Sequence, residues 1–272
     1  MNYKDKYKLA AFDVDGTLLV PGDLVFSKNI KNMFLELKKN NVITTLATAR
    51  EFASINNFLE QLNPDYFIGA NGSFVWDVKN KKFIFTNVCN KEDVIKLYDE
   101  FATKVEGFQI SHFDKVFKSP TTNTNTWYAK PFEHKFEDYS ADKLIDDQIH
   151  LITLNQPDPK KVQELVKNVT KFIKQNKLDL EISSLWSRGI FIAPPMSNKI
   201  HALEKLASYL NLGLENIIAF GDGENDYEMI KNVGYGVAID DSSNELKAIA
   251  KDICFSCEVD GPYHKLKELE II

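Results

Sequence analysis

Hydrophobic and polar positions follow two different rhythms along this chain. Leu9–Phe12 is an apolar run too brief for a helix, and it ends in the acidic segment Asp13-Val14-Asp15-Gly16-Thr17. Ser27 stands where a helix cap is expected, and Ile30, Met33, Phe34 and Leu37 follow at the i, i+3, i+4, i+7 spacing of one helical face. Residues 42–47 are β-rich. Phe52, Ile55, Leu59 and Leu62 form a second helical stripe stopped by Pro64, and residues 66–70 form a third strand. Strands alternating with helices of this length predict right-handed βαβ units and a parallel sheet.

Past Asn71-Gly72 the rhythm changes. Residues 74–78 and 83–86 read as a hairpin. Asn90 and Asp93 resemble a capping pair for a helix using Val94, Leu97, Tyr98 and Phe101. Alternating segments at 108–113 and 116–118 lead into a polar stretch, 119–126, that reads as an exposed loop. Another strand follows at 150–154, then a helix capped by Asp158 and opened by Pro159, then strands at 178–183 and 189–193. From Ser197 the βα alternation resumes and continues to the end of the chain.

This arrangement predicts an α/β protein: a Rossmann-like open parallel sheet core, residues 1–82 and 190–272, interrupted by an inserted α+β cap domain, residues 83–189. The length of 272 residues suits about two domains. A hydrophobic share of 44% is enough for a packed core. A formal net charge of −6 disfavours nucleic acid and anionic membrane surfaces as partners, since neither gains from an acidic chain. Three cysteines make no closed disulfide framework, and the apolar run after Lys8 is cut by Asp13 and Asp15, too soon for a signal-peptide core. No apolar stretch is long enough to span a bilayer. The expectation is a cytoplasmic protein with no membrane partner.

Ligands of an open parallel sheet bind beyond the carboxyl ends of its strands. Asp13 and Asp15 follow the first strand, Thr48 and Arg50 the second, and Asn71 and Gly72 the third. Asp222, Asn225 and Asp226 follow the strand at 217–220, Asp240 and Asp241 the next, and Lys199 opens a helix. Carboxylates about 4 Å apart repel by several kcal/mol even at an effective dielectric near 20. Such a cluster calls for a cation, and all-oxygen ligands without Cys or His favour a hard divalent ion, Mg²⁺ above all. Mg²⁺ beside a lysine and a threonine hydroxyl suits a phosphate dianion.

Four segments carry a family resemblance: Phe12-Asp13-Val14-Asp15-Gly16-Thr17, Leu46-Ala47-Thr48-Ala49-Arg50, Ser197-Asn198-Lys199 and Phe220-Gly221-Asp222-Gly223-Glu224-Asn225-Asp226. In order and spacing they resemble the motifs of the haloacid dehalogenase superfamily, and the large insert resembles its Cof-type branch of sugar-phosphate phosphatases. The resemblance implies that Asp13 is a nucleophile forming an aspartyl-phosphate. It implies that Asp15 acts as general acid and then base. Thr48 binds the transferring phosphoryl group and Lys199 neutralises it. Asp222 and Asp226 hold Mg²⁺ together with Asp13 and the Asp15 carbonyl. Ala49, Arg50, Asn71, Gly72, Asn225, Asp241 and Arg188 complete the expected substrate- and phosphate-binding set.

Two positions depart from the branch. Ala49 replaces a usual glycine, which reduces backbone freedom beside Thr48, and Asp241 replaces a usual asparagine, which adds a negative charge near the phosphate. Only two of the 33 basic residues are arginine, Arg50 and Arg188, so either could mark a need for a planar fork, such as a second acidic group on the substrate. The Gly221–Asp226 run begins like a dinucleotide fingerprint, but an acid at its third glycine position opposes a pyrophosphate. Cys254 and Cys257 form a lone CxxC without a second pair or a nearby His and read as structural or incidental.

The expected function is a Mg²⁺-dependent phosphatase acting on a small phosphorylated metabolite. The competing readings are a phosphomutase of the same superfamily and a non-catalytic phosphoacceptor or phosphate-binding module.

Overall fold

The computed structural model describes residues 3–186 and 188–272. The chain opens with α1 (Tyr3–Lys6), β1 (Leu9–Phe12), α2 (Lys28–Lys39), β2 (Ile43–Ala47), α3 (Phe58–Leu62) and β3 (Tyr66–Gly69). Next come β4 (Phe74–Asp77), β5 (Lys82–Thr86) and α4 (Lys91–Phe101), followed by β6 (Gly107–His112), β7 (Lys115–Lys118) and β8 (Phe136–Asp138). β9 (Ile149–Asn155), α5 (Pro159–Asn176), β10 (Glu181–Trp186) and β11 (Gly189–Ala193) complete the middle of the chain. The last stretch holds α6 (Lys199–Tyr209), β12 (Ile217–Gly221), α7 (Tyr227–Asn232), β13 (Tyr235–Ile239), α8 (Asn244–Ile249), β14 (Asp252–Cys254) and α9 (Gly261–Glu268).

Two compact units emerge. One comprises the chain up to Ala49 with Ile55–Phe85 and Lys199–Ile272; the other is Arg50–Ser54 with Thr86–Asn198. The first is built on an eight-stranded sheet ordered β14-β13-β12-β1-β2-β3-β4-β5, parallel from β14 to β3 and turning antiparallel between β3 and β4. Alternation along β1 sends Leu9 and Ala11 to one face, where they pack with Ala202, Leu203 and Leu206 of α6 and Met229 and Ile230 of α7. Phe12 points to the other face and meets Phe34 of α2 at 5.3 Å. The parallel pairing brings the carboxyl ends of six strands to one edge.

The second unit carries a six-stranded sheet, β10-β11-β9-β6-β7-β8, antiparallel except for the β7–β8 pair. Phe108, Ile110, Ile152, Leu154, Ile190 and Ile192 share a core with Val94, Leu97 and Phe101 of α4 and Val162, Leu165 and Val169 of α5. The alternate positions Gln109, Ser111, Thr153 and Asn155 put a buried polar layer on the other face.

Local chemistry explains most of the elements. Ser27 Oγ accepts from the Ile30 amide at 3.1 Å, Asn90 Oδ1 from the Asp93 amide at 3.2 Å and Asp158 Oδ1 from the Lys160 amide at 3.0 Å, so the expected caps form. Three expectations need correcting. The stripe from Phe52 to Leu62 is helical only from Phe58, because Asn56 adopts a φ of 52° and Phe52 turns to pack with its ring tilted 5.1 Å from that of Phe113 in the insert unit. The strand expected at 178–183 begins at Glu181. The 119–126 stretch is not wholly exposed: Ser119 Oγ accepts from the Phe108 amide at 3.0 Å, and Thr122 Oγ1 donates to the Phe108 carbonyl at 3.2 Å.

The unit boundaries also differ from those expected at 82/83 and 189/190. β5 extends the eight-stranded sheet, and β11 pairs with β9 in the insert sheet, so the crossings fall at Phe85/Thr86 and Asn198/Lys199. Strand patterns alone do not say which sheet a strand joins. Among the described residues no helix is long and apolar enough to cross a membrane.

Candidate active site

Asp13 leaves β1 with its amide still donating to the Phe220 carbonyl at 3.0 Å, so the ladder itself orients the side chain. The chain then turns tightly: the Leu18 and Leu19 amides donate to the Val14 carbonyl at 2.9 Å, and the Gly16 amide to the Leu19 carbonyl at 2.8 Å. Gly16 has a φ of 91°, and a Cβ placed there would stand 2.4 Å from Asp222 Oδ2. Glycine is required on both counts. Thr17 Oγ1 donates to Asp222 Oδ1 at 2.8 Å.

Lys199 reaches in from the first turn of α6. Its Nζ donates to Asp13 Oδ1 at 2.5 Å and to Asp226 Oδ1 at 2.7 Å, and its side chain is closed to solvent. The other Asp226 oxygen accepts from the amides of Asp222 and Gly223, at 3.1 and 3.0 Å. Asp13, Asp222 and Asp226 each offer a carboxylate oxygen, all within 4.8 Å of one another.

The electrostatics follow from this crowding. Burial lifts the Asp13 carboxyl well above its ordinary range; Lys199 opposes the rise, while Asp226 and Asp222 add to it. Burial, reinforced by Asp226, lifts Asp222 to about 6. Burial acts to lower the Lys199 ammonium, but Asp13 and Asp226 outweigh it, so its pKa is raised. Three ionised carboxylates against one ammonium fall two positive charges short, which is the charge of a divalent ion. The donor set is all oxygen, so a hard cation fits.

A second cluster lies at the ends of β2 and β3. Thr48 and Asn71 are buried, and the Asn71 amide donates to the Thr48 carbonyl at 3.0 Å. Asn225 Nδ2 donates to Asn71 Oδ1 at 3.0 Å, linking this cluster to the β12 loop. Ala70, Asn71 and Gly72 have φ of 48°, 58° and 102° in succession. Each non-glycine residue in that region costs about 1–3 kcal/mol, and such conformations concentrate at functional sites. Ala49 is not among the residues with left-handed φ, so alanine there carries no backbone penalty. Asp241 is exposed and bonds to none of these groups.

The remaining candidates lie in the insert unit or outside the site. Arg50 Nη1 donates to the Ser54 carbonyl at 2.7 Å and its guanidinium lies 5.5 Å from the Phe132 ring. Arg188 lies 5.9 Å from the Tyr128 ring. Burial pushes the Cys254 and Cys257 thiols up to about 12 and about 11, which keeps them protonated and fits the incidental reading. Sequence reasoning missed the role of Thr17 as the hydroxyl that orients Asp222. It also missed Glu51, buried beside Arg50, whose carboxyl accepts from the Ser54 amide at 3.0 Å and is pushed by burial to about 7. Their positions flanking the Asp and Thr-Ala-Arg segments were the only available signal.

Residues 10–266 match the family model for haloacid dehalogenase-like hydrolases. The chain belongs to this family. Among its relatives is a 5-amino-6-(5-phospho-D-ribitylamino)uracil phosphatase of Bacillus subtilis, 27% identical over 93% of this chain and 92% of that protein. Another is an HMP-PP phosphatase of Serratia proteamaculans, 24% identical over 96% of this chain and 94% of that protein. The fold also matches a solved sugar phosphatase of HAD subclass IIB, with a TM-score of 0.81 at 21% identity, over 97% of this chain and all of the other (100%). This haloacid dehalogenase-like hydrolase is a phosphatase, and its fold is that of the Cof-type branch.

Proposed function

We propose that this enzyme hydrolyses a small phosphorylated metabolite, a sugar phosphate or a compound with a sugar-like phosphorylated arm, through an aspartyl-phosphate on Asp13 with Mg²⁺ bound. The observation that carries the reading is the buried trio of Asp13, Lys199 and Asp226 with Asp222 alongside. Asp13, Asp222 and the Asp15 carbonyl would hold the Mg²⁺, which when bound offsets charge on the phosphoryl oxygens. Asp226 joins them through its remaining lone pairs, but its first task is to hold Lys199, since both its oxygens already accept hydrogen bonds.

The chain's own groups divide the work. One Asp13 carboxylate oxygen attacks phosphorus while the ester P–O bond breaks, and Asp15 passes its proton to the departing oxygen. Lys199 keeps the other Asp13 oxygen oriented and offsets charge on the group in transit. The Thr48 hydroxyl and the backbone of Ala49 and Gly72, with Asn71 and Asn225 braced against each other, orient the phosphoryl oxygens. In the second half Asp15 takes a proton from water as that water attacks phosphorus; inorganic phosphate leaves and Asp13 is regenerated. The reading gives no role to Arg50 or Asp241.

The test is phosphate release across a phosphometabolite panel, with Mg²⁺ or with EDTA, in the parent and in Asp13→Asn. Release that depends on the metal in the parent and is lost in the variant is expected. An isomerised phosphoester instead of free phosphate would favour mutase chemistry, and equal release by both proteins would remove Asp13 from the reaction.

A further inference from the structure

The insert unit contains a cavity of about 80 Å³ whose wall includes Glu106, Thr126, Tyr128, Asn155 and Arg188. That volume accommodates several waters or a small organic acid. Asn155 closes β9 and is 6% exposed. Its Oδ1 accepts from Gln109 Nε2 at 2.6 Å, which fixes the amide orientation and leaves Nδ2 buried without a hydrogen-bond partner. A buried donor left unmade costs about 1–3 kcal/mol, so a wall that keeps one points to an acceptor that arrives from elsewhere. Gly107 permits the arrangement, since a Cβ there would stand 2.9 Å from Asn155 Oδ1.

Charge narrows the class of ligand. Arg188 and Glu106 both line the cavity, yet neither forms an ion pair with the other or with any described residue. Arg188 and the Asn155 Nδ2 donors suit a carboxylate, which accepts a planar fork. Glu106 opposes a phosphate dianion but suits an ammonium beside that carboxylate.

We propose that this cavity binds a small α-amino carboxylate, with Arg188 and Asn155 holding the carboxylate and Glu106 the ammonium. The group is that of a free amino acid, so the proposal does not rest on the phosphatase reading.

Trp186 packs 5.1 Å from Tyr128 and reports occupancy by fluorescence. Glycine, alanine and serine, with acetate and inorganic phosphate as comparisons, would be titrated by fluorescence and calorimetry into the parent, Arg188→Gln and Asn155→Asp. The last variant keeps an acceptor for Gln109 and replaces the donor with a carboxylate oxygen that repels an anion. Saturable binding of an amino acid, tighter than acetate or phosphate and at least tenfold weaker in both variants, is expected. No saturation at tens of millimolar, phosphate binding equally well, or indifference to both variants would overturn the proposal. Absence of all phosphatase activity would sink the enzymatic reading and leave the binding result standing.

Discussion

Lys199 Nζ lies 2.7 Å from Asp226 Oδ1 with both side chains closed to solvent, although the two residues approach from different elements of the core unit. The same ammonium bonds Asp13. A buried charge left without its partner is destabilising by about 3–5 kcal/mol. Lys199→Met is therefore expected to lower stability by that order and to reduce kcat strongly. In urea unfolding at neutral pH, Lys199→Met and Asp226→Leu together should cost less than the sum of the single changes, with a coupling of about 1–3 kcal/mol. Strict additivity would show that the pair does not act as a unit.

Gly16 sets the distance between the first acidic segment and Asp222. With a φ of 91° and Asp222 Oδ2 2.4 Å from its notional Cβ, Gly16→Ala must both strain the turn and displace the carboxylate. The strain costs about 1–3 kcal/mol. The displacement should weaken Mg²⁺ activation at least tenfold, read as a rightward shift in the metal dependence of phosphate release. An unchanged metal dependence would mean that Asp222 is not a ligand.

His150 is expected to make the insert unit sensitive to acid. The residue is 1% exposed, and burial, with a smaller contribution from His112, lowers its imidazole to about 4. An unfolded histidine titrates near 6.5, so between those values the unfolded chain binds a proton that the folded chain refuses. Stability therefore falls as pH drops through that window, by roughly 3 kcal/mol once pH is below both values. Thermal melts at pH 7.5 and 4.5 should show a smaller loss in His150→Phe than in the parent. Equal losses would move the acid sensitivity elsewhere.

Much of the core unit was legible because each of its cues is local. The cap at Ser27, the stripe of Ile30, Met33, Phe34 and Leu37, and the short apolar runs of β1 and β12 all lie within one turn or one strand. The acidic segments could be read as one site because parallel strands deliver their carboxyl ends to the same edge. The helix expected from Phe52 failed for a non-local reason: Phe52 finds Phe113, far along the chain. The exposed loop at 119–126 failed likewise, since its hydroxyls satisfy the Phe108 backbone.

The sequence by itself determined the two-rhythm architecture and which residue types stand at the strand ends, because hydrophobic period and strand length are properties of consecutive residues. It also carried the ordered acidic, threonine and lysine segments that place the chain in its family. Only the tertiary structure decided that Lys199 bonds both Asp13 and Asp226, that Ala49 is unstrained, and that Asn155 keeps an unused donor on a cavity wall beside Arg188. Those facts depend on how distant segments approach one another in space and on which donors are already taken, and neither is encoded by spacing along the chain.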